Sequence, residues 1–365
     1  MHCTAGQGTP ARALLAGGLR AADALLYADS EGGMSHVNKR AYFVRKIANA
    51  LLTIVLVASF NFFLFRVMPG DPARLLLPKG KISPAVLAAQ RAAFHLDVPR
   101  WEQFVYYWSD TLRLRFGYSY AFKVPVTQVI ASRIWATILL CGLGTLLATV
   151  IGMVEGVFAG WRRGKTFDTA STDVSMVMYA MPTFWQCLLA IMLFSVALGW
   201  FPVGRMSTPL AHFSMWGPVP LDFTTAVGLL YHITLPVILF ALGYYGEYHL
   251  IMRSSLTGVM KEDYVLTAQA KGLTSNGVLW HHVVPNAMLP TISLVMMNLG
   301  FIVSGAILVE TVFNWPGIGL LSYEAMSAHD YPVLQAVFLL GCVAVIVANL
   351  IADIMMYYVD PRVNA

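Results

Sequence analysis

Apolar and polar positions do not alternate residue by residue in this chain; they separate into long blocks. A bilayer core about 30 Å thick needs about 20 apolar residues per helix, so uncharged runs of about 18 residues or more are the informative unit. Such runs extend from Ile47 to Phe65 between Arg45-Lys46 and Arg66, and from Ile134 to Val154 before Glu155. Further runs cover Val174 to beyond Trp200, Phe223 to Gly246, Val283 to Val309 before Glu310, and Tyr331 to Ala352 before Asp353. The pattern predicts an all-α polytopic membrane protein with six transmembrane helices. Pro182 and Pro236 fall inside the third and fourth runs and are expected to kink those helices, because proline removes a backbone donor.

The polar blocks complete the organisation: an N-terminal extension over 1–40, a first span over 41–68, an external segment over 69–133, and a five-helix core over 134–365. Pro69-Gly70-Asp71-Pro72 cannot continue a helix and reads as a turn. Amphipathic patches with Trp101, Tyr106, Tyr107 and Trp108 then predict short helices whose rings sit at headgroup level. Residues 1–33 read as a dispensable tail, with Met34 a candidate start. The core carries a polar loop over 253–290, far longer than the roughly 2–8 residues of a plain helix connection. Leu256, Val259 and Met260, then Tyr264, Leu266, Thr267 and Ala270, recur at helical spacing, which predicts two short amphipathic helices joined near Gly272.

Composition sharpens this picture. Hydrophobic residues make up 58% and charged residues only 12% of 365, against roughly 25% charged in a soluble domain. The net charge of +5 would suit a nucleic-acid partner, but its placement argues otherwise. Arg12, Arg20, Lys39, Arg40, Arg45 and Lys46 precede the first run; Arg162, Arg163 and Lys165 separate the second and third; Arg253, Lys261 and Lys271 separate the fourth and fifth; Arg362 follows the sixth. Basic residues in short loops mark the cytoplasmic side, so both termini are expected inside. The segment from Arg66 to Arg133 is basic too, but segments longer than about 60 residues escape that bias.

Candidate chemistry is sparse. Ala159 to Thr166 mimics a phosphate-binding loop, but it follows a membrane helix instead of a strand and packs Trp161, Arg162 and Arg163 into the turn. Any ATP hydrolysis must then come from another polypeptide, and no cofactor is implied. His281-His282 point in different directions on a helix and do not make a metal pair. Cys141, Cys187 and Cys342 sit in apolar runs as small hydrophobes. Glu155, Glu247, Glu310 and Asp353 fall at the ends of runs, which weakens an ion-coupled transporter. Asn61, Gln186, Asn298 and Asn349 lie within spans and are candidates for lining a path, with interhelical hydrogen bonding as the competing role.

The loop also carries a resemblance. Ala268, Gly272 and Pro285, within Tyr264-Val-Leu-Thr-Ala-Gln-Ala-Lys-Gly-Leu and Pro285-Asn-Ala-Met-Leu-Pro, resemble the signature loop of the membrane subunits of binding-protein-dependent ABC importers, in the dipeptide/oligopeptide/nickel form. Leu266 and Thr267 stand where the family usually has glutamate and alanine. Pro69-Gly-Asp-Pro72, Phe116-Gly-Tyr-Ser119, Glu310-Thr-Val-Phe-Asn-Trp-Pro-Gly-Ile-Gly319, Asp330-Tyr-Pro332 and Asp360-Pro-Arg362 extend the similarity over about residues 40–365. The resemblance implies a type I permease fold, most similar to the first of two permeases in peptide uptake. It implies partners too: a second homologous permease, two cytoplasmic ATPase subunits, an external substrate-binding protein and membrane lipid, in a bacterial inner membrane. Tyr264, Ala268, Ala270, Lys271, Gly272 and Pro285 would form the coupling loop. Glu310, Phe313, Pro316, Gly317 and Gly319 would belong to the external surface near the gate, unless the stretch is a plain turn. An ion-coupled secondary transporter and a non-transporting assembly subunit are the other readings.

Overall fold

The computed structural model describes residues 39–67, 97–206, 213–214, 217–218, 223–302 and 305–359. The N-terminal extension up to residue 38, the Pro69 to Pro72 turn and the Asp360-Pro361-Arg362 motif lie outside the described residues. In chain order the helices are α1 (Lys39–Val67), α2 (Arg100–Leu112), α3 (Val126–Trp161), α4 (Thr166–Ala180) and α5 (Thr183–Ala197), whose second half is π-helical. A two-residue antiparallel pair, β1 (Phe213–Ser214) and β2 (Gly217–Pro218), precedes α6 (Phe223–Val259). Then follow α7 (Asp263–Ala270), α8 (Ser275–Ile302, with a π turn over Leu279–Val283), α9 (Ile307–Val312), α10 (Ile318–Ser327) and α11 (Tyr331–Val359).

Among the described residues, five helices are long and apolar enough to cross a membrane, over Tyr42–Arg66, Val126–Trp161, Ala226–Val259, Ser275–Ile302 and Tyr331–Tyr357. The third expected span differs from its prediction. It is α4 and α5 together, bent by 100°. Pro182 does not kink this helix; it ends it, because Met181 is forced to an extended ψ of 128°. The carbonyls of Met178 and Met181 accept from Gln186 Nε2 at 2.6 and 3.1 Å. Pro236 and Pro290, by contrast, stay inside continuous helices. The fourth span is longer than its apolar run, since α6 carries on through Arg253 to Val259 and absorbs the first of the two short helices expected in the loop. The fifth is displaced toward the N-terminus, so Val309 and Glu310 belong to the separate helix α9.

The most extensive packing in the molecule joins α3 to α6. Along α3, Gly144, Ala148, Gly152, Gly156 and Gly160 recur every fourth residue and all are buried. A Cβ on Gly152 would stand 2.7 Å from the Tyr245 carbonyl oxygen, and one on Gly156 2.8 Å from that of His249. Small residues at this spacing let two backbones approach closely where no hydrophobic drive separates protein from lipid. Around this pair, α11 packs on α8 and α1. Near the C-terminal end of α1, Phe62 meets Phe104 of α2 with ring centroids 5.3 Å apart, while Trp101 stays exposed. The bundle therefore has two ends. At one, α7 and the start of α8 pack on the last turns of α3 and α6; at the other, α9 and α10 pack near the start of α3.

Candidate functional site

At the loop end, α7 and the start of α8 form a helical hairpin. Gly272 stands between them with φ of +80°, a left-handed conformation that only glycine adopts without strain. No atom lies within 4 Å of where its Cβ would be, so the requirement is backbone geometry and not space. One face of the hairpin is anchored: Val265, Ala268, Val278, Leu279, Val283 and Ala287 are buried against Met252, Leu256 and Val157, with Tyr264 packed at the edge. The opposite face is open. Leu266, Leu273 and Trp280 are exposed, as are Ala270, Lys271 and Pro285. Of the six residues predicted for this loop, Ala268 and Tyr264 hold it to the bundle and the other four face outward.

At the other end, the Glu310 to Gly319 stretch is folded inward, unlike an exposed turn. Glu310 and Trp315 are fully buried and Phe313 nearly so. Thr137 Oγ1 donates to Glu310 Oε1 at 2.9 Å, and the backbone N–H of Ala306 reaches the same oxygen at 3.3 Å. Gly319 and Leu320 donate their N–H groups to Oε2 at 2.7 and 3.1 Å. Thr137 Oγ1 also accepts from Ile318 at 2.6 Å, and Trp315 Nε1 donates to the Ala136 carbonyl at 2.9 Å. Burial pushes the Glu310 carboxyl above the ordinary glutamate range, against the pull of these donors. Gly317 and Gly319 are buried because side chains there would collide with Glu310 and with Ile307, while Pro316 is half-buried. A hydropathy profile shows Glu310 ending a run; it cannot show that the following turn folds back over the carboxylate.

The four polar span residues divide. Asn61 Nδ2 donates to the Gln335 carbonyl at 3.0 Å and joins α1 to α11. Gln186 closes the broken helix end at Pro182. Asn349 is exposed on α11. Asn298 differs from all three: its Nδ2 meets Tyr248 Oη at 3.0 Å on the wall of a cavity of about 300 Å³, also lined by Thr145, Phe240, Tyr244 and Phe301.

This architecture can be set beside known proteins. The binding-protein-dependent transport system inner membrane component family matches residues 152–365, and the N-terminal region of such membrane components matches residues 40–141. The chain belongs to this family. The permease is 33% identical over 337 residues to the dipeptide transport system permease protein DppB of Escherichia coli (strain K12), covering 88% of this chain and 98% of that one. It is 34% identical over 325 residues to a putative peptide permease of Brucella suis, with 88% and 98% covered. Similarity to the oligopeptide transport system permease protein AppB of Bacillus subtilis is 32% over 325 residues, covering 89% and 99%. It is thus an ABC importer permease of the peptide family, a multi-pass inner-membrane protein and not an enzyme.

Sequence reasoning missed one cluster in the permease. Asp168, in the first turn of α4, is buried and grips Arg253 of α6 through both oxygens, Oδ1 to Nε at 2.5 Å and Oδ2 to an Nη at 2.9 Å. The Gly164 N–H donates to Oδ2 at 2.9 Å. One turn deeper, His249 is fully buried with Glu155 Oε2 3.7 Å from its Nδ1. Neither of its ring nitrogens has a hydrogen-bond partner among the described residues. Glu155 and Glu247, expected at the ends of apolar runs, lie within α3 and α6 because those helices continue past the runs. Asp168 and Arg253 are 85 residues apart in sequence, and no local pattern pairs them.

Proposed function

We propose that the permease forms half of a translocation pathway for peptides or a related small solute, and that its 253–290 loop receives a separate cytoplasmic ATPase. A second homologous permease would supply the other half, with two ATPase subunits inside and a binding protein outside. The observation that carries this reading is the two-faced hairpin: one face is anchored on α3 and α6, while Leu266, Leu273 and Trp280 are left exposed beside Lys271. An element fixed on one side and apolar on the other transmits the push of a docked partner as a rigid-body motion. The peptide assignment rests on the names of the relatives.

Orientation follows from the same end of the molecule. Arg162, Arg163, Lys165, Lys261 and Lys271 are all exposed there, and α1 begins and α11 ends there, tied by Lys46 to Asp353 at 2.8 Å. That end is assigned to the cytoplasm, with both termini inside. Asn298 and Tyr248 are assigned to the pathway wall, and the Glu310 turn to a fixed seat beneath the external surface. The 69–133 segment is assigned to the outside, where the binding protein docks.

The test uses the importer assembled with its partner chains. Leu273→Asp changes only the exposed face of the hairpin and should lose the ATPase on purification, with uptake abolished. Gly272→Pro cannot adopt the required φ and should likewise abolish uptake while membrane insertion persists. Normal uptake by both variants with the ATPase bound would overturn the coupling role.

A further inference from the structure

We propose that Asp168 and Arg253 are positioning residues through which movement of the loop is delivered to α4, making α4 a lever driven at its first turn. The inference rests on the coupling role of the loop. Arg253 lies on α6 next to Met252 and one turn before Leu256, the residues on which the hairpin is seated. A push on the hairpin therefore reaches Arg253 through a single rigid helix.

What lies between α6 and α4 decides where that push goes. The face α4 buries consists of Asp168, Ser171 and Ser175, with no apolar side chain among them. Of its apolar residues, Phe167, Val174, Met176, Val177 and Tyr179 are exposed, while Met178 is half-buried against the cluster that holds Ala241 and Tyr245 of α6. Ser171 and Ser175 turn their hydroxyls back onto their own helix, to the carbonyls of Asp168 and Ser171. Near the far end of α4, Gly246 of α6 comes close enough that a Cβ would stand 2.7 Å from the Ser175 carbonyl. Apart from Met178 and the approach of Tyr245 to the Ser175 side chain, the face α4 gives to α6 is small and polar, the kind of light packing on which helices slide by small shear motions. The α3–α6 interface cannot slide in this way, because its buried glycine face fits closely against Tyr248, His249, Met252 and Leu256.

On the sliding face the two-pronged bond of Asp168 to Arg253 is the anchor. A guanidinium fork fixes orientation as well as distance, which a lysine ammonium does not. From Asp168 the helix runs roughly 20 Å to the break at Pro182, where the bend of 100° and the Gln186 bonds to Met178 and Met181 form the pivot. Drive point and pivot thus stand at opposite ends of one helix. Asp168 also accepts from Gly164, which keeps the α3–α4 turn on the same carboxylate.

The experiment measures peptide uptake and ATP hydrolysis together in proteoliposomes holding the complete importer, with Asp168→Asn and Arg253→Lys in this chain. For wild type and Asp168→Asn as the two limits, the expected result is hydrolysis stimulated by loaded binding protein to within about twofold of each other, and uptake per ATP about tenfold lower in Asp168→Asn, the scale of coupling changes carried by single residues. Arg253→Lys should fall between the two, and Asp168→Asn combined with Arg253→Lys should be no worse than Asp168→Asn alone. Should Asp168→Asn fail to insert, Asp168→Glu keeps the charge while displacing the fork, and the same ratio is read. Uptake and hydrolysis falling in parallel with the amount of assembled complex would make the pair merely structural and overturn the proposal, as would an unchanged ratio. Leu273→Asp separates the two ideas: it should remove the ATPase altogether, so its failure defeats the coupling role while leaving the Asp168→Asn ratio as an independent result.

Discussion

Glu310 and Asp168 are both buried carboxylates that hold helices together near one end of the bundle, and they do so in opposite ways. Glu310 is closed in by neutral donors, the Thr137 hydroxyl and the N–H groups of Ala306, Gly319 and Leu320, with no cation paired to it among the described residues. Asp168 meets a guanidinium whose side chain is 29% exposed. Backbone donors aimed inward cannot leave without unfolding the turn that carries them, whereas an ion pair whose guanidinium reaches water can be strained and remade because that partner has solvent to fall back on. The Glu310 end is fastened permanently. The loop end, in the proposed reading, is fastened so that it can bear a load.

The hardest test of this contrast removes the acceptor at each end. Glu310→Leu strands three backbone N–H groups in a dry site, at about 1–3 kcal/mol each, and should leave little folded protein in detergent by fluorescence-detected size exclusion. Arg253→Gln should lose less folded protein than Glu310→Leu, because Asp168 keeps its bond from Gly164 and the glutamine amide still offers a donor at the edge of water. Equal losses of folded protein would break the comparison.

A smaller effect is expected from glycines. Gly319→Ala would set a Cβ 2.7 Å from the Ile307 nitrogen, within the Glu310 turn. Overpacking of this kind costs about 1–3 kcal/mol, read as a lowered melting temperature. Gly258→Ala near the inner end of α6 meets nothing within 4 Å and should be neutral or stabilising by up to about 1 kcal/mol, since alanine is the better helix former. A melting temperature for Gly319→Ala at or above wild type would show that the outer turn yields like the inner end.

These contrasts also show what the sequence discloses. Uncharged runs found the helices because burial in lipid leaves a signal in every residue of a span. They did not show that α3 and α6 run on past Glu155 and Glu247, since hydropathy measures solvent, not hydrogen bonding. The glycine face of α3 is visible as a four-residue repeat, yet it stays hidden in a profile that scores glycine as neutral. Pro182 and Pro236 look equivalent in sequence; only at Pro182 does the preceding residue turn extended and the chain bend by 100°. In the loop, Gly272 was legible because a left-handed residue needs glycine. The pairing of Asp168 with Arg253 was not, because it depends on how two helices dock.

The mildest test concerns the neutral bonds between the two ends, and it asks whether the middle of the bundle is fastening or pathway. Asn61 and Asn298 each make one interhelical bond of 3.0 Å, to the Gln335 carbonyl and to Tyr248 Oη. Replacing either by leucine should cost about 0.6 kcal/mol, the mean for such bonds in membranes, so stability will not tell them apart. Uptake should. Asn61 is buried between α1 and α11 with its amide nitrogen bonded to a carbonyl, and Asn61→Leu is expected to transport like wild type. Asn298→Leu replaces a polar wall of the cavity with a hydrocarbon one and should lower peptide uptake several-fold at unchanged ATP binding. If the two variants transport equally, Asn298 is fastening like Asn61, and the permanent character of the outer end extends inward through the cavity to Tyr248.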